Sequence, residues 1–405
     1  SYDVWYANYK WIANVNYIID AEPEMAGTEA DVAYVAGQAY AIRALCYLNL
    51  ATWFSRAPYN SLTGASRWNE PCVPVYTTGT SIDTGGQPRE SLRTVYGRID
   101  QDIDRAIELL EKARETTLAE NNKSHINLYV ALGIKSRACL AEGDWDGAFK
   151  AAKRVIDEGG YAVGTKSDLT GGMNSLDKQN VMWGAGIQVA DQAGGYAGFF
   201  THMDNKEGAY AKSAPKLISK QLYNRISATD IRRDWWDPSD KESPYVSKKF
   251  SFANVASFLG DYIYMRVEEM YFTAAEAALR LDDLKSAREL MNTVMAERDP
   301  GYSANNRSGT LLGATTTTWS GSFLENILTH RRIELWGEYG RLFDVRRLGQ
   351  GIDRRTDDGF SEECISMMNR RNVNITKADT YDWVLTIPKA ELDANPNINE
   401  EDQNP

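Results

Sequence analysis

No stretch of this sequence approaches the ~18 consecutive apolar residues that a membrane-spanning helix needs. Long basic runs are missing too, since pairs such as Arg232-Arg233 and Arg370-Arg371 have acidic residues close by. With 45 Lys plus Arg against 56 Asp plus Glu, the net charge is −11. That balance excludes nucleic-acid binding, whose affinity comes mainly from cationic contacts to phosphate. Cysteine is scarce: Cys46, Cys72, Cys139 and Cys364 stand far apart, with no Cys-x-x-Cys spacing. Neither a disulfide framework nor a zinc site follows, and Cys46 and Cys139 fall in helical patterns as small hydrophobes. His125, His202 and His330 are the only histidines and share no ligand spacing; His330 reads as a surface or capping residue. A nucleophile elbow, a Walker loop, a dinucleotide fingerprint and an HExxH helix are all absent. The acidic turns "DNKEG" (204–208) and "NPNINEEDQN" (395–404) lack the twelve-residue calcium pattern and read as solvated, so no metal or cofactor is expected.

What is present is a core-forming, mostly helical chain of 405 residues, 43% apolar and 25% charged. It opens on "SYDVWYANYKWIANVNYIID", already amphipathic and aromatic, with no leader pattern. In "VAYVAGQAYAIRALCYLNLATWF", Tyr40, Ala44, Tyr47, Leu48 and Ala51 form one helical stripe; Val95, Ile99, Ile103, Ala106 and Leu110 form another. Two segments superpose without a gap: Cys139 falls on Ala278, Asp144 on Asp283, Ala148 on Ala287 and Val155 on Val294, each pair 139 residues apart. Each reads as a helix with small inner residues, a turn with a capping aspartate, and a second helix. That is the helix-turn-helix logic of tetratricopeptide (TPR) repeats. Regions of about 56–90, 159–260 and 300–322 are instead rich in Gly, Pro, Ser and Thr and read as loops. Long loops on a rigid scaffold carry function disproportionately often.

"THRRIELWGEYGRLFDVRRLG" (329–349) raises the question of a catalytic carboxylate pair. On one continuous helix Arg331, Glu334, Glu338 and Arg341 would share a stripe, with the two carboxyls ~6 Å apart. A catalytic acid needs a raised pKa, whereas flanking arginines lower it, so structural ion pairing is the favoured reading. Among the loop aromatics, Trp183 and Trp235-Trp236 read as closing hydrophobic clusters. Trp68, with Asn69 and Arg67 beside it, combines a stacking face with hydroxyl-binding groups, as a sugar site does.

Four blocks stand out: "AYAIRALCYLNLATWFSRAPY"; "YIYMRVEEMYFTAAEAALRLDD", through Arg266, Glu269, Tyr271 and Ala275-Glu276-Ala277; "RRIELWGEYGRLFDVRRLG"; and "LTIPKAELDANPNINEEDQNP". Together they resemble the SusD/RagB family of nutrient-binding outer-membrane lipoproteins. They run in the family's order across nearly the whole chain. The resemblance implies a mostly α fold as a single domain, 1–405. Its about four TPR-like helix pairs would come from about 1–55, 91–158, 262–298 and 323–348, beside a loop-rich variable ligand-binding half and a tail, 350–405. It implies a non-catalytic cell-surface lipoprotein of the outer membrane that captures oligosaccharides for a SusC-like TonB-dependent transporter. The lipid anchor would lie outside this chain. Peptide capture is the alternative within the family, and a glycoside hydrolase using Glu334 and Glu338 the alternative outside it. Candidate ligand residues are Trp68, Asn69 and Arg67 in the first loop and Tyr196, Phe199, Phe200 and Tyr210 in the later variable region.

Overall fold

The computed structural model describes residues 2–116, 118, 122–189, 197–316, 318–352 and 380–405. Backbone contacts divide them into two compact units, one of residues up to 151 with 342–350 and 380–405, the other of 152–341 with 351–352. The described residues are mostly helical, with two small two-stranded sheets.

In the first unit α1 (Tyr2–Ala21), α2 (Glu29–Phe54), α3 (Leu92–Lys112) and α4 (Leu128–Glu142) pack each on the next. Short polar side chains start them: Thr28, Ser91 and Asn127 accept backbone N–H groups of the first turns of α2, α3 and α4. A Cβ on Gly37 would meet Leu110 Cγ at 2.8 Å, so the bare glycine lets α2 and α3 approach closely. The end of α2 is held by polar side chains. Arg346 donates to Ser55 O and Asn404 Nδ2 donates to Phe54 O at 2.8 Å, satisfying carbonyls that a helix C-terminus leaves open.

The two superposable segments are helix hairpins, α4 with α5 (Trp145–Glu158) and α10 (Val267–Arg280) with α11 (Leu284–Ala296). Asp144 Oδ1 accepts Gly147 N–H and Asp283 Oδ1 accepts Ser286 N–H, both at 3.0 Å. The residue before each cap is left-handed, Gly143 with φ 77° and Asp282 with φ 62°. Ser136, Ala148, Val155 and their counterparts Ala275, Ala287 and Val294 are all at 0% exposure, as the shared pattern demands.

The second unit contains the long segment expected as loop. It carries short helices, α6 (Lys166–Thr170), α7 (Phe199–Met203), α8 (Ala209–Ser213) and α9 (Lys220–Tyr223), none longer than five residues. Strand β1 (Val181–Ala185) pairs antiparallel with β4 (Tyr262–Arg266), and β2 (Trp236–Asp237) with β3 (Val246–Ser247). Phe200, Leu222, Trp235, Trp236, Phe250 and Ile333 belong to one buried cluster that the segment wraps. In this unit α12 (Phe323–Glu334) packs on α10.

The stretch 323–348 forms two helices, and the continuous helix that would carry the 331–341 charges on one stripe does not form. α12 stops at Glu334 and α13 (Arg341–Leu348) starts seven residues later. Between them Gly337 (φ 75°) and Gly340 (φ 119°) take left-handed conformations that interrupt helical hydrogen bonding. Arg331, Glu334, Glu338 and Arg341 therefore share no common stripe.

Candidate ligand-binding surfaces

The two glutamates of the 329–349 segment pair with cations from other elements. Glu334 accepts from Arg298 (Nε–Oε2 2.9 Å), Arg266 (Nη1–Oε1 3.0 Å) and Arg232 (Nη1–Oε2 3.2 Å). Glu338 accepts a bidentate pair from Arg266, both at 2.8 Å, and one bond from Lys249 at 2.5 Å. Glu268 pairs with Arg266 and Arg298, and Asp230 with Arg232. Arg331 reaches Thr273 and Glu269 on α10. Burial raises the Glu334 carboxyl, but Arg298, Arg266 and Arg232 outweigh it and hold the group well below the usual carboxylate range. Glu334 has no proton to give at neutral pH, and at 0% exposure no substrate reaches it. Lys249, pushed down to about 8 by burial against the pull of Glu338, completes the cluster.

His330 is not a surface residue. It is buried, and Arg232 Nη2 donates to its Nδ1 at 2.8 Å. Burial and the neighbouring Arg232 charge keep the ring well below its ordinary pKa, hence neutral.

Trp68, Asn69 and Arg67 lie in the first unit, in a turn that packs against the start of α3. Backbone bonds from Leu92 N–H to Glu70 O (2.8 Å) and Arg93 N–H to Trp68 O (2.9 Å) tie this turn to the helix start. The half-buried Trp68 ring meets Tyr96 edge-on at 5.7 Å, and the Arg93 guanidinium lies 5.8 Å from its centroid. Asn69 is exposed; Arg67 is half-buried and 3.8 Å from Glu70. A rigid indole next to an exposed amide and a guanidinium can stack one face of a ring and bind hydroxyls at its edge.

The later aromatics lie in the second unit and have different environments. Phe200, 2% exposed, is core, and a Cβ on Gly260 would meet its ring at 2.5 Å; it offers no face to a ligand. Phe199 is half-buried, edge-on to Phe200 and Phe250 at 5.2 Å. Tyr210 is exposed and lies flat on His202, with centroids 4.5 Å apart and planes 7° from parallel. That stacked pair is the available platform of this group. Tyr196 lies outside the described residues.

The two acidic turns differ: 204–208 turns its aspartate inward, whereas Glu400, Glu401 and Asp402 of 395–404 are exposed, as solvated acids would be. Asp204 is buried and accepts the N–H groups of Lys206, Glu207 and Phe252. Asn395 bonds to Gln87 O, Gln403 closes a reciprocal pair with Ile387, and Asn404 binds Phe54 O and Leu385 O. Among the described residues no group of three His, Cys, Asp or Glu side chains could hold a metal ion. The described cysteines are free and buried, and burial pushes the Cys46 thiol up to about 12 and that of Cys72 up to about 11, so both are protonated and inert.

Sequence reading missed a further surface, the tyrosine stripe of α1. Tyr2, Tyr6, Tyr9 and Tyr17 recur at helical spacing, and Tyr6 and Tyr9 line a cleft of about 420 Å³ in the first unit with Trp5 and Tyr76. The i, i+4, i+7 spacing was the legible signal.

Residues 205–405 match a family model described as the SusD family, and residues 1–140 match one described as "Starch-binding associating with outer membrane". No curated protein matches the chain. Among solved structures, a SusD-like carbohydrate binding protein from Bacteroides vulgatus aligns over 98% of this chain and 83% of its own, with 26% identity and a TM-score of 0.76. A SusD superfamily protein from Bacteroides thetaiotaomicron aligns over 99% and 85%, with 22% identity and a TM-score of 0.76. Surface glycan-binding protein A from Bacteroides uniformis aligns over 99% and 84%, with 18% identity and a TM-score of 0.67.

Proposed function

The chain belongs to the SusD family, and on that premise we propose that it is a non-catalytic cell-surface glycan-binding protein. It captures oligosaccharides at the outer membrane and delivers them to a SusC-like TonB-dependent transporter. A lipid anchor holds it at that membrane. The scaffold is four TPR-like helix pairs, of which α4–α5 and α10–α11 are the superposable ones. The observation that carries the reading is the likeness across 98% of the chain to a carbohydrate-binding relative. The chemistry of the surface supports it: Trp68 with Asn69 and Arg67, and the exposed Tyr210–His202 stack, have the aromatic-plus-polar make-up that sugar rings require.

The hydrolase alternative needs an accessible carboxyl that keeps its proton, and Glu334 has neither property. Peptide capture by the same surfaces is the remaining competitor. A glycan array on the purified chain, followed by titration calorimetry, decides between them. We expect binding of at least one neutral oligosaccharide, without release of new reducing ends, and about tenfold weaker binding in Trp68→Ala at unchanged melting temperature. Retention of peptides alone, or turnover of any glycan, would overturn the proposal.

A further inference from the structure

The cleft along α1 is a built site that neither the family match nor the aromatic loops assign. Its floor is Trp5, Tyr9 and Tyr76, with Trp5 and Tyr9 tilted at 4.9 Å and Tyr9 edge-on to Tyr76 at 5.9 Å. One wall is the exposed ring of Tyr6, extended along the helix by Tyr2, which lies parallel to it at 5.6 Å. The opposite wall is the loop at Thr80, Ser81 and Thr84, which supplies hydroxyls.

This loop is held in place before any ligand arrives. Asn16 Nδ2 donates to Tyr76 O and Thr78 O at 3.2 and 2.9 Å. Tyr17 donates to Thr80 O, and Asp20 accepts Gly79 N–H at 2.7 Å. Beneath them Arg43, locked to Asp102 by two 2.7 Å bonds, donates to Thr77 O at 2.9 Å and to Asn16 Oδ1 at 2.7 Å. A cleft whose walls are pinned this way spends little ordering entropy on binding.

Its chemistry selects the occupant. Lys10 and Glu391 put one charge of each sign at the cleft, so neither an anion nor a cation is favoured. Glu391 accepts Trp5 Nε1–H at 3.2 Å and Asn395 Nδ2–H at 2.8 Å, and its remaining lone pairs can accept from a ligand hydroxyl. A cleft of about 420 Å³ falls in the range of small-ligand sites. Flat apolar rings, a hydroxyl rim and balanced charge suit a molecule with C–H faces, equatorial hydroxyls and no net charge. We propose that the cleft between α1 and the 79–84 loop binds one or two rings of a neutral oligosaccharide, as a second contact separate from the Trp68 surface. The ligand class rests on the glycan-binding reading above; the location rests on the geometry.

The test is calorimetric titration of wild type, Tyr6→Ala, Tyr6→Phe and Trp68→Ala with α-1,4-gluco-, β-1,3-gluco-, xylo- and manno-oligosaccharides, and with a peptide digest. Tyr6 is half exposed, at 51%, so its truncation leaves the core intact. We expect the bound glycan to weaken about tenfold or more in Tyr6→Ala and to recover in Tyr6→Phe, which restores the ring. Glycan binding that is unchanged in Tyr6→Ala overturns the cleft while leaving the glycan reading intact. Binding of peptides only, or of no oligosaccharide by wild type, overturns both.

Discussion

Glu334 illustrates how a residue that looks catalytic in the sequence becomes structural in the fold. Three guanidiniums converge on one carboxylate at 0% exposure, so loss of its charge strands buried cations. Glu334→Gln is expected to destabilise the protein by about 3–5 kcal/mol, the usual consequence of breaking a buried pair from one side. Urea denaturation at pH 7 measures this; an unmoved midpoint would show that the cluster carries no stability. The acid limb follows from the same group. Its folded pKa is depressed, so its stabilisation is complete above the unfolded value of ~4.3 and is lost as pH falls towards the folded one. Wild type should therefore lose stability steeply below about pH 4, and the variant, already without the interaction, should show a flatter acid limb.

At the level of elements, the hairpin register exposes an asymmetry open to test. Gly143 and Asp282 occupy the same left-handed position, yet only one is glycine. A non-glycine residue there costs roughly 1–2 kcal/mol of backbone strain, which aspartate partly escapes through its short polar side chain. Asp282→Gly should raise stability by up to about 1 kcal/mol. Asp283→Ala, which removes the cap on Ser286 N–H, should lower it by about 1 kcal/mol. Chemical denaturation of the two variants checks both signs. Gly143→Ala should be worse than either, because its Cβ would also meet the Tyr59 ring at 2.6 Å. The reading of Arg331, Glu334, Glu338 and Arg341 as one helical stripe failed at this same scale. Hydrophobic spacing continues through Gly337 and Gly340, but their left-handed backbones end one helix before the next begins.

For the whole molecule, a net charge of −11 tests the ligand class. A neutral glycan held by stacking and hydrogen bonds has no charge for salt to screen, whereas an anionic ligand would be bound against the overall field. Affinity for the oligosaccharide selected on the array should thus change by less than about twofold between low and high salt, measured by calorimetry. A strong salt dependence would point to a charged ligand.

The sequence by itself determined most of the long helices, the capping aspartates of the two hairpins and the spacing of 139 residues at which the hairpin repeats. Each of these depends on composition or on neighbours within a few turns. The block order from "AIRALCY" to "DQNP" made the family legible as well. Only the tertiary structure decided which partner each charge takes. Arg266, Arg298 and Arg232 come from separate segments to meet Glu334, and no periodicity encodes that meeting. It also decided which rings stay available: Phe200 is sealed against Gly260, while Tyr210 and Tyr6 remain open. Spacing along a chain assigns a residue to a face; what covers that face depends on where distant segments run.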